Sequence, residues 1–284
     1  MKPGSHSLTA YHVAMMRAAH QVLDTPKVFD DPIALRIVGS RGASEIRSGK
    51  RRFKTRLHGY LRAIVVARSR IVEDELTAAV RRGVRQYVVL GAGLDTFAYR
   101  NPYAASGLRV FEVDYPATQA WKRQLLAAEK ICVPDTVSFA PIDFESQSLA
   151  DALRKAGFST DEPCFISWLG VSMYLSRETL LATMKTIASS APTGSAIVFD
   201  YVIPPSTQNI LRRLAFRALA HRLARIGEPW VSFFDPGSLT MDLKAIGFSI
   251  AEDIGPEEIN SRFFRDRADN LMVGSFGHLM KAQL

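Results

Sequence analysis

The sequence contains no apolar run approaching the roughly 20 residues that a membrane-spanning helix requires. It has only two cysteines, Cys132 and Cys164, and both lie in apolar stretches. This usage predicts neither a disulfide framework nor a bound metal. Residues 1–6 lack the apolar core of a secretory signal, and no internal repeat or low-complexity segment is visible. These absences together predict a soluble cytoplasmic protein.

Charge is the main compositional bias of the chain. A chain of 284 residues with 47% hydrophobic residues can bury the core of one large α/β domain, and the net charge is +8. Basic residues cluster between Arg47 and Arg56 and again between Arg212 and Arg225. Such surfaces can contact phosphates or attract an acidic substrate, but charge runs are more often solvated surface. Because few aromatic residues interleave with them, a nucleic-acid partner is disfavoured.

A glycine-containing turn carries the clearest functional signal. The apolar run from Tyr87 to Leu90 breaks into Gly91-x-Gly93, and a second apolar run ends in Asp114 about twenty positions later, where a ribose is usually met. Glycines after a strand permit a tight turn and let a ligand approach the backbone closely. A carboxylate at the tip of the neighbouring strand can accept hydrogen bonds from both ribose hydroxyls. The spacing therefore predicts an adenosyl-cofactor site.

The same turn lacks the third glycine of a dinucleotide-binding fingerprint. Position 96 is Thr96, and Asp95 places a negative charge where a pyrophosphate would lie. The turn therefore favours a cofactor that has no phosphate and carries a cationic group. S-adenosylmethionine has both properties.

Strands and helices are predicted to alternate from residue 86 to residue 200. Five strands are predicted to end near Leu90, Asp114, Asp143, Leu169 and Asp200. Residues 248–254 and 271–279 are expected to add two more. This order predicts a Rossmann-like α/β fold with a mostly parallel seven-stranded sheet flanked by helices, and ligands at the carboxyl ends of the strands.

The chain is predicted to form a single domain with four parts. Residues 1–60 form an N-terminal helical extension or lid, in which 39–56 is an exposed connection, and residues 61–203 form the cofactor-binding core. After Pro204-Pro205, residues 204–236 form an inserted cap containing a basic amphipathic helix over 208–226, and residues 237–284 supply the last strands. The cap could cover the substrate, form a dimer face or lie on a membrane surface.

An ordered set of motifs resembles the leucine carboxyl methyltransferase family, in its bacterial branch of S-adenosylmethionine-dependent O-methyltransferases. The matching segments are Arg17-Ala-Ala-His20, Phe29-Asp-Asp-Pro32, Val66-Ala-Arg-Ser-Arg70, residues 86–100, Phe111-Glu-Val-Asp-Tyr-Pro116 and Gly170-Val-Ser-Met-Tyr-Leu175. The resemblance implies a class I methyltransferase fold, S-adenosylmethionine as the cofactor and methyl transfer as the activity.

The resemblance also implies roles for particular residues. The implied cofactor-binding residues are Arg68, Gly91, Gly93, Asp114, Asp143, Phe144 and Leu169. Gly91 and Gly93 would face the methionine part, and Asp114 would bind the ribose, with Glu112 as second choice because only one of the two is expected to point into the site. Arg68 would pair with the cofactor's carboxylate, or Arg70 if the helix is rotated.

At the adenine end, Asp143 would accept a hydrogen bond from the exocyclic amine, and Phe144 would contribute its backbone amide. Leu169 stands where eukaryotic members of the family have a glutamate. This departure weakens any transfer of protein-terminus recognition to the present chain.

For the acceptor side, the candidates are Tyr11, His20, Tyr174 and Tyr201, and no catalytic residue is assigned. Methyl transfer is an in-line displacement that depends on positioning, and a carboxylate acceptor is already ionised at pH 7. We expect an O-methyltransferase for a small-molecule carboxylate or hydroxyl acceptor. The alternatives are a nucleic-acid methyltransferase, for which Asn101-Pro-Tyr lacks the second proline of the usual motif, and a non-catalytic cofactor-binding protein.

Overall fold

The computed structural model describes residues 7–49, 53, 55–143, 147–207, 210, 213, 214, 216, 217, 220 and 230–284. Its centre is a seven-stranded sheet with the order β3-β2-β1-β4-β5-β7-β6. The strands are β1 (Gln86–Leu90), β2 (Arg109–Asp114), β3 (Val137–Pro141), β4 (Cys164–Trp168), β5 (Ala196–Val202), β6 (Ile250–Ile254) and β7 (Gly277–Gln283). Strands β1 to β5 pair in parallel, whereas β7 runs antiparallel to both β5 and β6. The predicted mostly parallel seven-stranded sheet is confirmed.

Helices cover both faces of the sheet. They are α1 (Leu8–Leu23), α2 (Ala34–Ile37), α3 (Gly39–Arg47), α4 (Arg56–Arg81), α5 (Pro116–Ala128), α6 (Leu149–Lys155), α7 (Arg177–Ser190), α8 (Pro236–Ile246) and α9 (Pro256–Phe263). Side-chain oxygens cap several of them: Ser7 accepts from the backbone of α1, Thr55 from that of α4, and Ser176 from that of α7. No helix in the described parts of the chain combines the length and apolar character needed to cross a bilayer.

Helix α4 lies between the sheet and the N-terminal helices. Its apolar stripe, which includes Ala63, Val66 and Ile71, is buried against one face of the sheet. Helices α1 to α3 then pack outside α4 and reach Leu94, which lies in the turn after β1. The N-terminal helices are thereby brought next to the carboxyl ends of the strands.

The structure corrects two expectations. The predicted exposed connection over 39–56 contains α3, whose Ala43 and Ile46 are buried three residues apart on one face among charged neighbours. The last strand is Gly277–Gln283 rather than 271–279, so its apolar alternation starts later than predicted.

The two cysteines differ in burial. Cys164 is buried, which raises the pKa of its thiol to about 11, whereas Cys132 is exposed. Most of the predicted helix over 208–226 and most of both basic clusters lie outside the described residues.

A buried ion pair joins β2 to α5. Lys122 Nζ lies 2.8 Å from Glu112 Oε1, and both side chains are 1% exposed. The Tyr99 hydroxyl donates a hydrogen bond of 2.9 Å to the other carboxylate oxygen. Burial raises the pKa of Glu112, although Lys122 and Tyr99 offset part of this effect. The pair holds α5 against the strand that ends in Asp114.

We expect Lys122→Met to destabilise the protein by about 3–5 kcal/mol at neutral pH, because Glu112 is left buried without its counter-charge. A carboxyl with a raised folded pKa opposes folding increasingly as pH rises above the unfolded value of about 4.3. The loss should therefore shrink as the pH falls toward that value. Urea unfolding across this pH range measures both effects. The double variant Lys122→Met/Glu112→Gln also removes the unpaired buried charge. If its loss of stability relative to the unmodified protein still varied with pH in the same way, this account would be contradicted.

Candidate functional site

A cavity of about 570 Å³ opens at the carboxyl ends of the central strands. One side is formed by residues that follow β1, β2, β3 and β4. The other walls come from the first half of α1, the middle of α4, the turn after β4, and Val231. Because neighbouring parallel strands end at one edge, the cavity collects side chains that are far apart in sequence.

The glycine turn after β1 lies at the middle of this cavity. Gly91 and Gly93 have φ values of +65° and +46°, which favour glycine. A Cβ atom at Gly91 would lie 2.5 Å from Val171 Cγ2, and one at Gly93 would lie 3.1 Å from Ala10 Cβ. Both glycines line the cavity. Their lack of a side chain lets α1 and the turn after β4 approach the same stretch of backbone.

Asp114 ends β2 beside this turn. Its carboxylate accepts hydrogen bonds from the backbone N–H groups of Gly93 and Tyr115. Burial raises the pKa of Asp114 despite these two donors. Glu112 lies on the same face, since residues two apart on a strand must, so alternation does not separate the two carboxylates as expected. The difference is depth: Glu112 is held by Lys122 and does not line the cavity.

The adenine-side prediction concerned Asp143 and Phe144. Asp143 lies just beyond β3 and lines the cavity. Its backbone is held in a local turn, in which Asp143 N–H donates to Gln147 Oε1 and Gln147 N–H donates to the Asp143 carbonyl, both at 2.9 Å. Phe144 lies outside the described residues.

Arg68 reaches the cavity from α4, beside Leu169 and Gly170. Its guanidinium forms a buried ion pair with Asp200 of β5, with 2.5 Å between Arg68 Nη1 and Asp200 Oδ2. The second oxygen of Asp200 accepts a hydrogen bond of 2.6 Å from Gly170 N–H. Arg70, the alternative, lies half-exposed, pairs with Asp74 and does not line the cavity.

Asp200 was not singled out in the sequence as a site residue. It does not line the cavity, but it orients Arg68 and fixes the turn after β4, whose Ser172 hydroxyl donates to the Asp200 carbonyl at 2.5 Å. A signal was available, because an acidic residue near the end of a wholly buried strand needs a buried partner.

Arg17 is a second residue without a predicted role, although it belongs to one of the matching sequence motifs. It lines the cavity from α1, donates to the Leu94 carbonyl at 2.5 Å, and lies 2.9 Å from Asp31 and 3.6 Å from Asp95. Burial would raise the pKa of Asp95, but Arg17 and other nearby cations hold it below its ordinary value. The N-terminal helix is thus tied by charge to the glycine turn.

The four acceptor-side candidates differ in whether they line the cavity. Tyr174 lines the cavity, whereas Tyr11, His20 and Tyr201 do not. Tyr11 donates to the Val38 carbonyl, and the buried Tyr201 hydroxyl donates to Asp253 at 2.5 Å. The three are therefore left out of the site proposed below.

The hydrogen bonds of His20 connect α1 to the loop that follows it. Its Nε2 accepts hydrogen bonds from the backbone N–H groups of Val28 and Phe29 at 3.0 and 3.4 Å. The proton therefore lies on Nδ1, which donates to Asp24 at 2.9 Å. Asp24 also accepts hydrogen bonds from the Arg62 guanidinium. Together these hydrogen bonds overcome the effect of burial and lower the pKa of Asp24.

His20→Ala should lower the free energy of unfolding by about 1–3 kcal/mol, because two buried backbone donors lose their acceptor. It should leave the affinity for S-adenosylhomocysteine unchanged. Thermal unfolding and calorimetric titration measure the two quantities. His12→Ala, at an exposed position of the same helix, is the matched control. Loss of ligand affinity in a stably folded His20 variant would contradict this role.

Comparison with known proteins identifies the family. The model of the leucine carboxyl methyltransferase family matches residues 10–188. YktD of Bacillus subtilis (strain 168), named as a candidate S-adenosyl-L-methionine-dependent methyltransferase, is 33% identical over an alignment that covers 99% of each chain. A protein of Mycobacterium avium (strain 104) with the same designation is 32% identical, over 75% of this chain and 72% of its own.

A solved structure agrees at the level of the fold. A candidate methyltransferase from Thermobifida fusca YX superposes with a TM-score of 0.57 at 18% identity, covering 92% of this chain and 98% of that one. The glycine turn, the carboxylates at the strand ends and the family match lead to one conclusion. The chain belongs to the leucine carboxyl methyltransferase family and is an S-adenosylmethionine-dependent methyltransferase.

Proposed function

We propose that the protein transfers a methyl group from S-adenosylmethionine to an oxygen atom of a small-molecule carboxylate or hydroxyl acceptor. The observation that carries this proposal is the shape of the cavity. It joins the strand-end residues to a separate wall from α1, the turn after β4 and Val231 within about 570 Å³. Small-molecule sites usually enclose about 300–1,000 Å³. Since the cofactor occupies part of this space, the acceptor group that enters must be small.

The donor set of the cavity suits this cofactor. Asp143 would hold the adenine, Asp114 the ribose, and the backbone of Gly91 and Gly93 the methionine part, with Arg68 facing its carboxylate. These groups follow β3, β2 and β1 in spatial order, with Arg68 beside the end of β4. Leu169 would add an apolar contact next to Arg68.

The charges that line the cavity support a cationic ligand over a phosphorylated one. Asp95, Asp114 and Asp143 all line it, and the lining cations Arg17 and Arg68 are paired with other carboxylates. A pyrophosphate would meet several carboxylates here, which is unfavourable. The same arrangement disfavours the phosphate backbone of a nucleic acid.

When bound, S-adenosylmethionine would supply an electrophilic methyl group, whose carbon an acceptor oxygen would attack in line as the thioether S-adenosylhomocysteine leaves. The protein's part is to position the two molecules and to exclude water. We propose that α1 acts as the lid, because Ala10 lies over Gly93 and Arg17 ties the helix to the turn. No histidine is present among the described lining residues, which suits an acceptor that is already ionised, such as a carboxylate.

Asp114→Ala and Asp143→Ala should each weaken S-adenosylhomocysteine binding by about 1–3 kcal/mol, the cost of losing a buried or charged hydrogen bond. Calorimetric titration of the folded variants measures this loss. Asp135→Ala is the matched control, because Asp135 is an exposed carboxylate just before β3. Unchanged affinity in both site variants would refute these assignments.

The oxygen acceptor can be tested with methyl-labelled S-adenosylmethionine and fractionated pools of small acids and hydroxylated compounds. We expect label in small organic products, and alkaline hydrolysis should release labelled methanol from esters but not from ethers. Asp114→Ala should abolish most of the incorporation, since it lowers cofactor occupancy. Label that appears only on nitrogen, sulfur or nucleic acid would contradict the proposal.

A further inference from the structure

The wall of the cavity divides by charge. Its charged residues belong to the glycine turn, the strand ends, α4 or the inner part of α1, and they are Arg17, Arg68, Glu73, Asp95, Asp114 and Asp143. A second group of lining residues comes from the start of α1, the turn after β4 and residue 231, and comprises Ser7, Thr9, Ala10, Val13, Val171, Tyr174, Leu175 and Val231. We call this second group the outer wall. Among the described lining residues, the outer wall carries no charged side chain.

The outer wall is held in place by the backbone. Residues 230–235, which we call the strap, cross the turn after β4. Val231 N–H donates to the Met173 carbonyl at 2.8 Å, and Ser232 donates through its hydroxyl to the Leu175 carbonyl. Phe234 N–H donates to Val202 at 3.0 Å and fastens the strap to the end of β5. Val231 therefore keeps a fixed place although its side chain is 56% exposed.

An aromatic cluster supports the same wall from behind. The rings of Phe216, Trp230, Phe233 and Phe276 pack together, with Phe216 within 4.8–5.6 Å of the other three ring centroids. They enclose Met173 and contact Tyr174.

The charges of the cavity give the outer wall a selective property. An acceptor with several charged or hydroxyl groups would lose water there without gaining counter-charges, which is unfavourable. An apolar body would be transferred from water to the five aliphatic side chains of the outer wall, which is favourable. The cations that could have attracted a polyanion, Arg17 and Arg68, are already paired with Asp31 and Asp200.

We propose that the acceptor has an apolar hydrocarbon body, aromatic or branched, that binds between α1 and the strap and presents a single oxygen to the cofactor. This inference rests on the proposed O-methyltransferase function and deepens it by naming the chemical class of the acceptor. The strap lies outside the residues 10–188 matched by the family. The acceptor preference therefore depends in part on residues outside the segment that the family model matches.

Binding to the protein saturated with S-adenosylhomocysteine tests the proposal without turnover. The apolar probes are 1-naphthoate and 2-naphthol, and the polar probes are gluconate and inositol, so that each pair offers a carboxylate and a hydroxyl. Calorimetry should show that the apolar probes bind at least tenfold more tightly. Val231→Asp should weaken the apolar probes at least tenfold and leave the affinity for S-adenosylhomocysteine unchanged, whereas Val231→Leu should retain binding.

Val133→Asp is the matched control, because Val133 is 44% exposed and does not line the cavity. Equal or tighter binding of the polar probes, no binding of any probe, or apolar binding that survives Val231→Asp would overturn the proposal. Failure of the proposed function is a separate result. Apolar probes that bind as described, with methyl label found only on atoms other than oxygen, would leave the apolar site standing and remove O-methylation.

Discussion

The close approach of three chain segments at Gly91 and Gly93 is the constraint on which the site depends. Val171 lies where a side chain of Gly91 would be, and Ala10 lies closer than ordinary van der Waals contact to where one at Gly93 would be. Helix α1 and the turn after β4 can therefore both rest on the turn that follows β1. A side chain at either glycine would push one of these walls outward and open the cavity to water.

Buried ion pairs fix the elements around this contact. Arg17 with Asp31, Arg62 with Asp24, and Arg68 with Asp200 each join two segments that are distant in sequence or lie on different elements. Removing one member of such a pair leaves a buried charge, so these contacts favour one arrangement of the N-terminal helices on the sheet. They also neutralise the arginines nearest the cavity. The net positive charge of the chain consequently says little about its ligand.

The strand ends and the outer wall of the cavity differ in how they are built. The strand ends present carboxylates and backbone groups whose positions follow from the sheet, and such groups can recognise the invariant adenosyl portion of the cofactor. The outer wall is built from α1, the turn after β4 and the strap, none of which is a strand. Segments of this kind can vary without disturbing the sheet, and this separation allows one fold to keep its cofactor while the acceptor changes.

Local patterns determined much of this protein in advance. The glycine turn, Asp114 at the tip of β2 and the alternation of strands with helices specified a mostly parallel sheet and the cofactor class, because strand, turn and cap preferences act over a few residues. Helix α3 was missed because its short apolar face is hidden among charged residues, and the start of β7 was placed too early. Only the tertiary structure decided that Glu112 belongs to Lys122, that His20 supports a loop, and that Asp200 holds Arg68. Those outcomes depend on which side chains meet across distant segments and on how deeply each is buried, and neither is encoded in local spacing.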